Sequence, residues 1–378
     1  MTGTRWSAWL ARQAREREDA GLTRRLAPRR ADDDVLDLAG NDYLGLSRHP
    51  EIVAAAVAAA RTWGAGAGAS RLVTGSTSLH TELEAELADF LGRPAALTLS
   101  TGYHANLAAV AALADRDALI VSDAHVHASL VDAARLSRAE VRVVPHGDVA
   151  AVDAALDAGG DRRAIVLVES VFSVLGDAAP LADLTAVTER RGALLLVDEA
   201  HGLGVAGAGG HGLLREAGLS RAEHVVVTAT LSKALGSQGG AVLASPAVVE
   251  QLVNRARPFI YDTGLAPPAA AAALAAVRHL RAHPELATVV TRRTAELAAA
   301  LGEQPTSGAV LSVPMPSPYA ALDAQAACLA EGVRVGCFRP PSTPDAVSRL
   351  RVTASAGLSE PDWARATDVV ARAVKDHR

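Results

Sequence analysis

The chain has 378 residues, a formal net charge of −5, 49% hydrophobic residues and only 3% aromatic ones; this length exceeds one ordinary domain and predicts a large domain with a smaller companion. Its Lys, Arg, Asp and Glu are interspersed, so no broad positive field invites a phosphate polymer, and nucleic acid is not an expected partner. Cys328 and Cys337 are too few for a disulfide scaffold, no apolar stretch opens the chain as a secretory signal, and the alanine tract 269–276 is too short and too weakly apolar to span a bilayer, so a cytoplasmic protein away from the membrane is expected.

Trp9, Leu10, Ala14 and Leu22 recur at helical spacing among charges, which predicts a helix over 7–25; Pro28 and Asp32-Asp33-Asp34 then read as a linker. A short strand is expected at 36–39, with a turn at 41–45. From there helices (51–62, 78–91, 103–113) and strands (95–99, 118–122, 164–169, 193–198, 224–228) succeed one another. The strands are continuous apolar runs, the pattern of a mostly parallel sheet covered on both faces. After Pro258 the signals change: Pro267 and Pro268 open an Ala-rich helix, and a strand-rich region runs from Gly308 to Thr353. The expected organisation is an N-terminal helix and linker (1–36), a large α/β domain (37–265) and a small α+β domain (266–378).

Two strand ends carry polar residues where doubly wound sheets bind ligands. One is Asp198-Glu199-Ala200-His201-Gly202, the other Thr230-Leu231-Ser232-Lys233. Among such small neighbours, desolvation lowers a lysine's pKa and frees an amine for Schiff-base chemistry; the plain alternative is a solvated surface lysine. A pyridine cofactor needs a carboxylate at its ring nitrogen, and Asp198 is the candidate, its plain alternative being a helix cap or buried ion pair. Ser100 to Asn106 follow a strand and open a helix, so the N–H groups of Gly102 and Tyr103 offer a phosphate cradle, to which Thr230 adds a hydroxyl; a simple Ser/Thr N-cap is the alternative. His125 and His127 beside Asp123 lack a further ligand cluster, so no metal site is expected there, and a flat His127 ring suits stacking on a planar cofactor. Gly207 to Gly212 match G-x-G-x-x-G but lie in a loop well after the strand with no acid about twenty residues on, which rules against a dinucleotide site.

These motifs together resemble the α-oxoamine synthase family of fold-type I pyridoxal enzymes over nearly the whole chain. The resemblance rests on Asn41-Asp42-Tyr43-Leu44-Gly45-Leu46-Ser47, the glycine-rich loop from Gly64 to Gly75, Ser122-Asp123 through His127-Ala128-Ser129, Asp198 to Gly202, and Thr230 to Lys233. Phe338-Arg339-Pro340-Pro341 looks like the branch of that family serving biotin synthesis. The resemblance implies pyridoxal 5'-phosphate (PLP) as cofactor, a homodimer with shared active sites, and a decarboxylative condensation of L-alanine with a pimeloyl thioester of CoA or a carrier protein. Another amino acid and thioester, such as glycine with acetyl-CoA, or a non-catalytic partner subunit of the same fold, are the alternatives. It further implies that Lys233 carries the cofactor, Asp198 meets its ring nitrogen and His127 stacks on the ring. His201 and Ser173 would serve its phenolic oxygen side, Gly102, Tyr103 and Thr230 would anchor it, and Asn41 and Arg351 would hold the amino-acid carboxylate. Ser342 stands where the family has Thr and Thr23 where it has Arg, leaving Ser342 and Arg24 as the expected contacts to the acyl substrate.

Overall fold

A computed structural model of the protein describes residues 4–24, 26–340 and 342–378. Its strands, in chain order, are β1 (Leu36–Leu38), β2 (Ala95–Leu99), β3 (Leu119–Asp123), β4 (Glu140–Val144), β5 (Ala164–Glu169), β6 (Leu194–Asp198), β7 (Val225–Thr230), β8 (Gly240–Ala244), β9 (Val310–Pro314), β10 (Val333–Phe338) and β11 (Arg349–Thr353). Seven of them form one sheet in the order β2-β8-β7-β6-β5-β3-β4, in which β8 alone runs against its neighbours. The other four form a second sheet, β1-β10-β11-β9.

The continuous apolar runs are explained by burial on both faces of the large sheet. Successive strand residues point to opposite sides. Leu195 and Val197 join the larger hydrophobic cluster on one face, while Leu196 between them joins the cluster on the other, and Val225 and Val226 divide in the same way. The parallel register then aligns the strand ends that matter, setting Glu169 of β5 opposite Asp198 of β6, and Asp198 opposite Thr228 of β7.

Several elements depart from the sequence reading for identifiable reasons. The N-terminal helix ends at Asp19 and buries none of its side chains, and Gly21 (φ 65°) turns the chain away soon after; Arg25, the end of the expected helix, lies outside the described residues. Edge strand β4 escapes an apolar pattern because its outer residues are exposed, and β8 is a Gly/Ala-rich run with no strand signature. Strand β1, expected near the boundary of the large domain, pairs in parallel with β10 and so belongs to the small sheet. The Pro267–Ala282 helix, expected to open the small domain, packs against the Pro50–Trp63 and Ser78–Leu91 helices, its alanine faces allowing close approach.

Candidate active site

The carboxyl ends of β5, β6 and β7 collect the polar residues singled out in the sequence. Lys233 follows β7, and its Nζ lies 2.8 Å from His201 Nε2. On the far side of that ring, Nδ1 is 2.8 Å from the Tyr43 hydroxyl, which donates to Asn41 Oδ1 at 2.9 Å. Arg351 Nη1 donates to the same Asn41 oxygen at 3.1 Å, and its Nε donates to the Ser173 carbonyl at 2.9 Å. Residues from positions 41, 43, 201, 233 and 351 therefore share one hydrogen-bonded chain.

A second chain runs behind Asp198. The amide of Asn106, 2% exposed, donates to Asp198 Oδ2 at 2.7 Å and to Ser129 Oγ at 2.8 Å. Thr228 Oγ1 donates to Asn106 Oδ1 at 2.6 Å, which fixes the amide's orientation. The other carboxylate oxygen, Asp198 Oδ1, accepts from the Ala200 N–H at 2.9 Å. Ser129 donates to His127 Nδ1 from both its hydroxyl (2.7 Å) and its backbone (3.2 Å), so the neutral imidazole carries its proton on Nε2.

Electrostatics set the protonation states. Burial pushes the Lys233 ammonium down to about 8, against the opposing pull of Asp198 and Glu169. Burial also raises the Glu169 carboxyl to about 8, reinforced by the negative charge of Asp198, and raises Glu199 to about 7. Desolvation and the neighbouring Lys233 and Arg351 charges keep His201 neutral.

The turn that the sequence offers as a phosphate cradle opens a helix. The Gly102–Leu113 helix begins behind Thr101, whose side chain accepts from the His104 N–H at 3.0 Å and leaves the Gly102 and Tyr103 N–H groups without intrahelical acceptors. Thr230 presses on this turn so closely that a Cβ on Gly102 would stand 3.0 Å from its Cβ. An amine of lowered pKa, a carboxylate held by two donors and an anion cradle are together the donor set that PLP needs, so these residues fit that group.

Other expected residues lie differently. The Ser173 hydroxyl is directed at Glu169 (3.4 Å), and its carbonyl serves Arg351. The Tyr103 hydroxyl donates to Asp132 at 2.6 Å on the surface. Arg24 Nη2 donates to Ser342 Oγ at 2.8 Å, joining two positions 318 residues apart in sequence. They line a cavity of about 630 Å³ together with Leu22, Leu322, Cys337 and Phe338. Phe338 links this recess to the centre, since its ring lies 5.4 Å from the Arg351 guanidinium carbon. Sequence reading assigned no role to Asn106, Tyr43, Glu169 or Glu199, although the first two and the last sit inside motifs it quoted and Glu169 ends an expected strand.

Comparison with known proteins agrees with this architecture. The family "Aminotransferase class I and II" matches residues 33–370. A curated 8-amino-7-oxononanoate synthase from Mycolicibacterium smegmatis is 58% identical over 372 residues, covering 97% of each chain. Among solved structures, SPT with a PLP internal aldimine superposes with a TM-score of 0.90 at 28% identity, covering 98% of this chain and 97% of that one. The 8-amino-7-oxononanoate synthase from Francisella tularensis gives 0.77 at 26% identity, covering 91% and 99%. With the family match and this identity both spanning nearly its full length, the chain belongs to the class I and II aminotransferase family.

Proposed function

We propose that this chain catalyses the PLP-dependent condensation of L-alanine with a pimeloyl thioester, releasing CO2 and the free thiol and forming 8-amino-7-oxononanoate for biotin synthesis. The identity to synthases of that name supports the substrates, and the hydrogen-bonded chain from Lys233 to Arg351 supports the chemistry. When bound, PLP supplies an aldehyde for amines and a ring that accepts the electron pair left on carbon.

The chain's own residues do the rest. Lys233, with a pKa near 8, would offer a neutral amine to the aldehyde and a base for the alanine Cα proton. Asp198, fixed by Asn106 and Ala200, would hold a proton on the ring nitrogen. His127, its tautomer fixed by Ser129, would cover the ring face. Arg351 has N–H groups to spare beyond Asn41 and Ser173, and with the Asn41 amide it orients the alanine carboxylate. Gly102, Tyr103 and Thr230 would anchor the phosphate, while Ser173 and His201 would border the phenolic oxygen. The recess of Arg24 and Ser342, walled by Leu22, Leu322 and Phe338, takes the acyl chain.

The same reading includes a homodimer with shared sites, supported by the Arg5–Asp19 helix, which leaves Trp6 71% and Leu10 56% exposed in the single chain. Among the described residues no helix is long and apolar enough to cross a membrane. Cys328 and Cys337 are free thiols, in keeping with a cytoplasmic setting.

The decisive experiment is Lys233→Ala. The variant is expected to keep its fold, to show no visible absorption band of lysine-bound cofactor, and to lose at least the 10²–10⁴-fold that a positioned proton transfer contributes. Ordinary turnover of alanine and pimeloyl-CoA by this variant would refute the assignment.

A further inference from the structure

A group of metal-ligating side chains lies away from the cavity and the active-site chains described above. His49 caps the Pro50–Trp63 helix, and Glu51 stands in that helix's first turn. The last turn of the Pro267–Ala282 helix brings His279 alongside, and His283 caps it. The His279 Nδ1 and Glu51 Oε2 atoms are 3.0 Å apart. The rings of His49 and His279 have centroids 4.4 Å apart, and those of His279 and His283 4.5 Å. One ligand atom from each of His49, Glu51 and His279 lies within 4.8 Å of the other two. His49 Nδ1 is sheltered from solvent yet has no hydrogen-bond partner.

We propose that His49, Glu51 and His279, with His283 at the rim, form a binding site for a divalent transition-metal ion of the zinc class. Two or three imidazoles with one carboxylate are a borderline nitrogen and oxygen donor set that suits Zn²⁺, Co²⁺, Ni²⁺ or Cu²⁺ and disfavours Mg²⁺ and Ca²⁺. In a tetrahedral site with bonds of about 2.1 Å, ligand atoms stand about 3.4 Å apart. The His279–Glu51 pair is a hydrogen bond at 3.0 Å; an ion would replace its proton and open the pair to about 3.4 Å, a movement that Glu51, whose side chain is 61% exposed, is free to make.

The ion would join two helices that sequence places more than 200 residues apart. It would also brace the segment carrying Asn41 and Tyr43, because His49 follows directly on the Leu46–Arg48 turn at that segment's end. The site therefore acts on stability and rigidity rather than on the chemical step.

The test is equilibrium dialysis of the PLP-loaded protein against Zn²⁺ in chelator-free buffer, paired with thermal melting. Wild-type protein is expected to bind one ion per chain at this site and to melt at a higher temperature with Zn²⁺, as any ligand specific to the folded state requires. His279→Ala and His49→Ala should each weaken binding at least tenfold and abolish the melting shift. Glu51→Gln, a surface change that preserves folding, should weaken binding by a similar factor. Absence of Zn²⁺ binding by wild type, or equal binding by wild type and Glu51→Gln, overturns the proposal.

Discussion

His201 donates its Nδ1 proton to Tyr43 and leaves Nε2 free to accept from Lys233. The direction follows from counting protons: the Tyr43 hydroxyl has one hydrogen, which goes to Asn41 Oδ1, and Arg351 supplies a second donor to that same oxygen. Tyr43 must then accept from His201. A neutral imidazole with its lone pair toward the lysine keeps one Nζ proton engaged without adding charge.

Tyr43→Phe removes that acceptor while conserving shape. The Nδ1 proton is left buried without a partner, at a cost of about 1–3 kcal/mol, and the tautomer that accepts from Lys233 is no longer enforced. The expected result is a lower urea midpoint together with a displaced pH profile for formation of the lysine-bound cofactor. A profile identical to wild type would mean that Tyr43 is only packing.

Asn106→Ala tests the second chain. It strips Asp198 Oδ2, Ser129 and Thr228 of a shared partner in a fully buried setting. We expect PLP affinity to fall tenfold or more, because the carboxylate loses the donor that aims it and groups behind a ligand commonly carry 10–100-fold effects. Spectral titration of the apo-protein with PLP measures this, and affinity within twofold of wild type would contradict the assigned role.

The contrast between these residues shows what was legible in the sequence. Lys233 and Asp198 stand at strand-to-loop junctions of apolar runs, so a pattern visible within ten residues placed them at one sheet edge. Asn106 lies in an ordinary helical stretch, and its partners Asp198 and Thr228 are 92 and 122 residues away. No local period encodes such a contact. The same holds for β1, which reads as a strand from its own residues but owes its place to Val333 in β10. The burial of β2, β3, β5, β6 and β7 could be read off their composition, whereas β8 is a strand only because β2 and β7 supply hydrogen-bond partners on both sides.

Glu199 gives a prediction about pH. Its carboxyl accepts from Ser170 Oγ at 2.5 Å and from the Leu214 N–H at 2.9 Å, and a Cβ on Gly202 would come within 1.8 Å of its Oε2, so it is sealed in by the turn that carries His201. Burial raises its pKa from 4.5 to about 7. Between those values the folded protein holds a proton that the unfolded chain has released, so this contribution is complete below pH 4.5 and is lost as pH rises through 7. Relative to Glu199→Gln, which has no proton to lose, wild-type stability should fall by roughly 1.4 kcal/mol per pH unit across this window. Urea unfolding of both proteins at pH 5 and pH 7.5 gives the difference. A constant gap between them would show that Glu199 is ionised throughout.

Arg24 and Ser342 supply the last prediction, which concerns the acyl substrate alone. Their 2.8 Å hydrogen bond joins two residues that line the recess, and Arg339 donates to the Gly21 carbonyl in the same lining. Arg24 is exposed, so its charge acts through water and its loss should be modest. Arg24→Ala should raise KM for pimeloyl-CoA about three- to tenfold, the effect of losing one charge-assisted hydrogen bond partly screened by solvent. The proposed alanine contacts, Arg351 and Asn41, lie on the other side of Phe338, so spectral changes on titration with alanine should match wild type. Steady-state kinetics in both substrates separates the two effects. If alanine affinity falls while KM for the thioester stays fixed, the recess is not the acyl site and Arg24 instead supports the carboxylate end of the pocket.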